Sequence, residues 1–448
     1  MTARESRRLR LDRLLGLWNH LVDPKVGVIN EVYELPIDED DPNFFHYLST
    51  SCNTARFTPL QNFRNNGGVS TDRPTGIAKA MGEAVERYCS AIFDYGDLLL
   101  APYRELRQKA TAPDAFALYL PEQHRRGNLP WAPFTEDSRV CWARGRSLCS
   151  GDEVLVPAAM VYVPYHYVTS RGDAAIVQPI STGLASGCSF EEAALSGLCE
   201  VVERDAFTLT WQARLSAPRI DPLTLPPSGQ DLLRRYAEVG LEVQLLDITL
   251  DIRFPTVMSI ALGESPASPA VAVAAATDPS AEVALIKSLE ELAHTRKFAK
   301  QLMEYTPPVP VELEQGHPHV EDQKHHLRLY CPQESKPFIS FAWASPELRR
   351  FPDVVDHGHL RPDEALKALV REVGQAGMDV IVCDLTTPDI AALGLHVVRV
   401  VVPGMNPLFM GHKNRALGGR RLYEVPQRFG HRGIERGHPD NPYPHPFP

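Results

Sequence analysis

Six residues in two short stretches have the types and spacing to do chemistry. Glu83, Glu86 and Arg87 lie in GIAKAMGEAVERYCSAIF (76–93). Glu200, Glu203 and Arg204 lie in STGLASGCSFEEAALSGLCEVVERDAF (181–207). Both stretches read ExxER. On a helix, residues i and i+3 share a face, so each stretch presents two carboxylates side by side. Four carboxylates and two arginines brought together would suit a hard divalent cation and phosphate. Mg2+ takes oxygen ligands and bridges to nucleotide phosphates, and the guanidinium fork matches phosphate oxygens. Arg296, after EELAHT on a third periodic helix, is a candidate for a further phosphate-balancing cation. A single ExxER run is an ordinary surface ion-pair pattern. Two, each following a Gly/Ser/Thr turn and a small-residue helix start, suggest an internal duplication.

Elements must position these groups. Ser189 precedes Glu192 by three, a capping-box spacing that starts the second helix near Phe190, with Ala194, Leu198 and Val201 on its apolar face. DLLRRYAEVG reads as a helix ending at Gly240. LEVQLLDITL, PTVMSIALG and AVAVAAATD then read as buried strands, and AEVALIKSLEELAHTRKFAKQL as a strongly periodic helix. DEALKALVREVGQAG, MDVIVCDLT and LHVVRVVVPG continue the helix–strand theme, and VLVPAAMVYVPY from Val154 reads as strand. The fold class is α/β in the mixed α+β sense, with mixed sheets flanked by helices. Residues 1–60 read as an N-terminal segment and 61–448 as one catalytic domain. The acidic turn Asp38–Asp41 reads as solvated, as do the histidines of polar loop segments, His317, His319, His325, His326, His357, His359, His431 and His438 among them. In the tail, 439–448, prolines 442, 444, 446 and 448 alternate with Tyr443, His445 and Phe447. Such a stiff segment loses little entropy on docking, although frayed ends are common.

Composition excludes several classes. A net charge of −10 over 448 residues argues against nucleic acid as a partner. No apolar run approaches the length of a membrane span. The basic N-terminus lacks the apolar core of a secretory signal. Eight cysteines without a CxxC pair fit reduced thiols in a cytoplasmic protein, not a zinc site. There is no Walker P-loop, no Rossmann fingerprint and no kinase signature set. Any nucleotide chemistry therefore falls to the carboxylates and arginines.

The second ExxER stretch resembles the central motif of YcaO-domain proteins, GIAKAMGEAVERY their first motif and EELAHTR their third. DLTTPDIAALGLHVVRVVVPGMNP, GGRRLY and the terminal PHPFP are similar to the azoline-forming branch, the cyclodehydratase D proteins of thiazole/oxazole-modified peptide pathways. The resemblance runs over residues 60–448. It implies a YcaO-type fold and ATP- and Mg2+-dependent conversion of Cys, Ser or Thr in a ribosomal precursor peptide to thiazoline or oxazoline. It implies Glu83, Glu86, Glu200 and Glu203 as metal ligands and Arg87, Arg204 and Arg296 as nucleotide contacts. Lys79, Ser186, Cys188 and Glu192 are the further ATP-site positions. The Pro448 carboxylate is implied as general base or positioning group. Departures are Gly68-Val69-Ser70 for Gly-Lys-Gly, Lys79 for a serine, Cys188 for an asparagine and His294 for a glutamine. The implied partners are the precursor peptide and an E1-like or ThiF-like leader-binding protein, with a flavin-dependent dehydrogenase as a further candidate. The competing expectations are a YcaO enzyme using an external nucleophile, to make thioamides or amidines, and a non-catalytic ATP-binding scaffold.

Overall fold

The computed structural model describes residues 3–127, 129–311, 317, 319–435 and 437–447. It divides into two compact units, each discontinuous in sequence. Unit 1 is 1–35, 45–201 and 360–405, and unit 2 is 36–44, 202–359 and 406–448. Residues 1–60, read as an N-terminal segment, fall partly in each unit. Among the described residues no helix is long and apolar enough to cross a membrane.

Unit 1 holds two antiparallel sheets. Ile29–Leu35, Phe45–Ser51 and Asn65–Ser70 form a three-stranded sheet in chain order. The first ExxER helix, Arg73–Ser90, packs on it. Asp72 caps that helix by accepting from Thr75 N at 2.9 Å, and Pro74 fills its first turn, where the missing N–H costs nothing. The small residues at its start have a packing reason. A Cβ on Gly68 would meet Gly76 O at 2.2 Å and Ala80 N at 2.5 Å, so strand and helix touch backbone to backbone. The second sheet has six strands, in the order Leu99–Pro102, Arg139–Ser147, Ile381–Asp384, His396–Val401 and Leu184–Gly187, with Glu153–Pro157 pairing Arg139–Ser147. Strand Glu153–Pro157 ends at its proline, and a 3-10 turn over 158–160 follows. The strand read from Val154 is therefore shorter than expected.

The second ExxER helix, Phe190–Gln212, begins where the spacing predicts. Ser189 Oγ accepts from Glu192 N at 3.3 Å. The chain passes from unit 1 to unit 2 within this helix, after Val201.

Unit 2 is built on a five-stranded sheet, Val271–Thr277, Thr256–Leu262, Glu242–Asp247, Arg219–Ile220 and Leu348–Arg349, antiparallel except for its last pair. Val271–Thr277 is buried throughout, which accounts for its continuous apolar run. Helix Ala281–Tyr305 packs on this strand and the next.

Two readings are corrected in unit 2. The acidic turn is not solvated as a whole. Asp41 is 4% exposed and binds Arg296 Nη1 at 2.9 Å and Lys297 Nζ at 2.7 Å. Asp38 and Asp40 both take Lys300. Three cations of one helix face outweigh the preference of aspartate for water. Nor are the loop histidines all solvated, for His317 and His326 are buried. His326 Nδ1–H donates to His445 O at 2.7 Å and its Nε2 accepts from Gly411 N at 3.0 Å. Both ring nitrogens are thereby satisfied, which makes burial affordable.

Candidate active site

In unit 1 the first glutamate of each ExxER motif is held in the same way. Glu83 Oε2 accepts from Gly67 N at 2.7 Å, and Glu200 Oε2 accepts from Gly183 N at 3.1 Å. Each glycine lies on the segment leading into the glutamate's own helix, sixteen and seventeen residues back. The repeated contact gives the duplicated motif a structural counterpart. Gly183 needs its glycine, because φ is +86° and a Cβ would meet Val400 O at 2.3 Å.

Glu86 is tied across the repeat. Ser186 donates to its Oε1 from the backbone N at 2.8 Å and from Oγ at 3.0 Å. Burial pushes the Glu86 carboxyl up to about 8; the Glu83 and Glu200 charges act in the same sense, while Arg87 and the Ser186 amide oppose it. Arg87 Nη2 pairs with Glu83 Oε1 at 3.1 Å. Unit 1 thus gathers three carboxylates, one of them favouring its proton in the absence of a cation. Carboxylates are the hard oxygen donors a divalent cation such as Mg2+ takes. Among the described residues, however, the acidic group whose ligand atoms lie within 4.8 Å of one another is Asp38, Asp40 and Asp41, already engaged by Arg296, Lys297 and Lys300.

Arg399, in the strand His396–Val401, belongs to the same group. It is 4% exposed, and its Nε and Nη1 have no hydrogen-bond partner among the described residues. Burial draws it down to about 10, with the charge of Glu200 acting in the opposite sense and that of Arg87 in the same.

The remaining unit 1 candidates sit at the start of the second helix. Cys188 N donates to Glu192 Oε2 at 3.2 Å, Arg10 pairs with Glu192 at 3.4 Å, and Arg13 Nη1 donates to Cys188 O at 3.2 Å. Cys188 and Glu192 therefore shape the turn, and Ser186 holds Glu86. Lys79 is half-buried on the first helix.

In unit 2, Glu203 accepts from Arg204 Nη1 at 2.5 Å and from Thr277 N at 3.2 Å. The Arg204 guanidinium lies 4.5 Å over the ring of Phe447, which packs on Phe207 at 4.3 Å between centroids. The next residue, Asp205, is buried and anchored by Arg421 of GGRRLY at 2.7 Å and by Asn406 N at 2.7 Å. The tail is docked within unit 2. Trp211 Nε1 donates to Tyr443 O at 3.0 Å and Tyr330 OH to Pro444 O at 2.6 Å. His445 Nε2 donates to Phe409 O at 2.8 Å, and Phe447 is 1% exposed. Pro448 lies outside the described residues. Arg296 is buried against Asp41 and Asp40, and its Nε is the donor left without a partner among the described residues.

The profile of the family described as YcaO cyclodehydratase, ATP- and Mg2+-binding, matches residues 67–406. The chain belongs to the YcaO family. A YcaO protein from Methanopyrus kandleri, solved with AMPPCP and Mg2+, shares its fold with TM-score 0.62 and 21% identity over 88% of this chain and 90% of that one. A heterocyclase solved in complex with substrate and cofactor matches with TM-score 0.76 and 22% identity over 98% of this chain and 57% of that one. At these identities the likeness is one of fold. An uncharacterized protein of Methanothermobacter thermautotrophicus is 31% identical over 281 residues, 60% of this chain and 66% of that protein. The chain spans just under two thirds of that curated relative and little more than half of the heterocyclase.

Sequence reasoning did not single out Arg399 of this YcaO chain, a buried cation that feels the charges of Glu200 and Arg87. The signal was there, a lone guanidinium inside the apolar run VVRVVV, where a charged residue is expected only with a partner.

Proposed function

We propose that this YcaO protein is an ATP-dependent cyclodehydratase acting on Cys, Ser or Thr of a ribosomally made precursor peptide. The observation that carries the reading is the gathering of Glu83, Glu86 and Glu200 in unit 1 of a chain whose family binds ATP and Mg2+. In this reading Glu83, Glu86, Glu200 and Glu203 hold the metal. Arg87 and Arg204 offset phosphate charge, and Arg296 contributes through Nε. Ser186 keeps Glu86 in place, Cys188 and Glu192 shape the turn before the second helix, and Lys79 adds positive charge near the first.

ATP, when bound, supplies the phosphoryl group that makes the amide oxygen a leaving group. The peptide's side-chain sulfur or oxygen bonds to the preceding carbonyl carbon and loses its proton. The amide oxygen departs as phosphate, the amide nitrogen gives up its proton, and a C=N bond closes the azoline ring. The chain's part is to orient the groups and to offset charge growing on the transferring phosphoryl. The PHPFP motif, whose resemblance is to the azoline-forming branch, supports that branch over an external nucleophile. The Pro448 carboxylate is proposed as the base or positioning group.

The E1-like or ThiF-like leader-binding protein belongs to the proposal, as do cytoplasmic location and a dehydrogenase partner. Incubation with MgATP, a leader-bearing peptide and its leader-binding partner should remove one water per ring and release ADP. An unmodified peptide with a validated partner would refute the reading, and oxygen loss with sulfur gain would move it to thioamide formation.

A further inference from the structure

Among the described residues of unit 1, the most conspicuous buried donors without a partner are Nε and Nη1 of Arg399. Its strand is otherwise apolar from Val397 to Val401, and its neighbours Val398 and Val400 are at most 1% exposed. Across the sheet it stands beside Leu184 on one side and Cys383 on the other. Gly183, the residue before Leu184, holds Glu200. The register of the sheet therefore brings Arg399 to the edge of the carboxylate group. Arg87, the other cation there, is paired with Glu83. Nε and Nη1 of Arg399 are buried and without a partner among the described residues.

A fold seldom keeps buried N–H donors of a cation unpaired, since nothing repays their lost hydration. Their persistence in an apolar strand points to a partner that arrives from outside. That partner must be an acceptor and should carry negative charge. It must also tolerate carboxylates close by, which a metal-bound phosphate does and a free carboxylate does not. Guanidinium donors match phosphate oxygens in geometry and charge.

We propose that Arg399 contacts a phosphate oxygen of the nucleotide through its unpaired Nε–H and Nη1–H donors. The inference rests on the reading that this site binds a Mg-nucleotide. It makes Arg399 a phosphate-binding residue supplied by the six-stranded sheet, in addition to those of the ExxER helices. It also carries a stability signature. A structural arginine stabilises the ligand-free fold, whereas an unpaired buried one burdens it, so its removal should leave the ligand-free protein no less stable.

The test uses the full chain with Arg399→Gln and Arg399→Lys, a non-hydrolysable ATP analogue with Mg2+, calorimetric titration and thermal unfolding. Arg399→Gln should weaken the Mg-nucleotide by about tenfold or more. Its ligand-free Tm should equal or exceed that of wild type, and the Tm rise on adding nucleotide should shrink. Arg399→Lys, which keeps the charge but not the planar fork, should fall between. Affinity within about twofold of wild type in both variants, with a lowered ligand-free Tm in Arg399→Gln, would make Arg399 a structural residue and overturn the proposal. Should Arg399→Gln not fold, that too contradicts the proposal, and Arg399→Lys still reads the affinity. A wild-type protein that binds no Mg-nucleotide would remove the functional reading itself. Binding by wild type with unaffected variants would remove this inference alone.

Discussion

At the scale of single residues, the site is a problem in charge. Glu86 sits beside Glu83 and Glu200 in a buried setting, and Ser186 fixes it from two donors. Glu203 is fixed in its own unit by Arg204 and Thr277. Replacing Glu203 by Gln keeps the shape but removes the charge. Turnover of peptide should fall by about 100-fold or more, the size of effect seen when one charge-stabilising group is lost. ATP consumption with peptide and partner measures it, and near-normal turnover would point to a scaffold. A second residue-scale prediction concerns acid. Burial pushes His326 down from its ordinary value near 6.5 to about 4, while the His445 carbonyl and Asp322 favour its charged form and His325 and His317 oppose it. His317 is drawn down to about 4 as well, and burial lowers His412 and His445 well below their ordinary value. Folded-state values below the unfolded value mean that the unfolded chain takes up protons first. The histidine contribution is therefore complete above about pH 6.5 and lost as pH falls toward 4, by roughly 3 kcal/mol for His326 alone, while the raised Glu86 carboxyl acts in the opposite sense over the same range. The change in Tm between neutral pH and pH 4 should be less destabilising in His326→Gln than in the wild type. The same pH dependence of Tm in both proteins would contradict this.

At the scale of elements, the ExxER helices are held by close backbone contact. A methyl group on Gly68 has nowhere to go but into Gly76 O and Ala80 N. Gly68→Ala should cost about 1–3 kcal/mol and loosen Glu83, whose carboxylate is held by the neighbouring Gly67. Chemical denaturation and Mg2+ affinity should both register the change, and an unaltered midpoint would refute the contact. The docked tail gives a further prediction. Deleting Phe447 and Pro448 removes the ring that faces Arg204. Peptide turnover should collapse while nucleotide affinity changes little, and a truncated protein with full turnover would deprive the tail of any role.

These elements also show what sequence could reveal. The start of the second helix was legible because Ser189 caps it locally. The strands of unit 2 were legible because Val271–Thr277 is buried on both faces. The acidic turn misled, since its partners Arg296, Lys297 and Lys300 lie more than 250 residues away in sequence. Buried His326 misled for the same reason, as its acceptor His445 is 119 residues on. The ExxER spacing pointed to Glu83, Glu86 and Glu200, but not to Ser186 as the donor to Glu86 or to the buried Nε and Nη1 of Arg399, without a partner among the described residues.

At the scale of the whole molecule, the central claim is that the chain turns a peptide amide oxygen into a departing phosphate. Family membership supports ATP and Mg2+ binding, and the proposal assigns the means to the carboxylates and arginines. The most direct measurement follows the oxygen. A precursor peptide with oxygen-18 in the amide carbonyl before its modified residue would be treated with MgATP, this protein and its leader-binding partner. The account predicts that the label leaves with inorganic phosphate, in proportion to the rings formed. Rings formed with unlabelled phosphate, the label appearing in water, would contradict it.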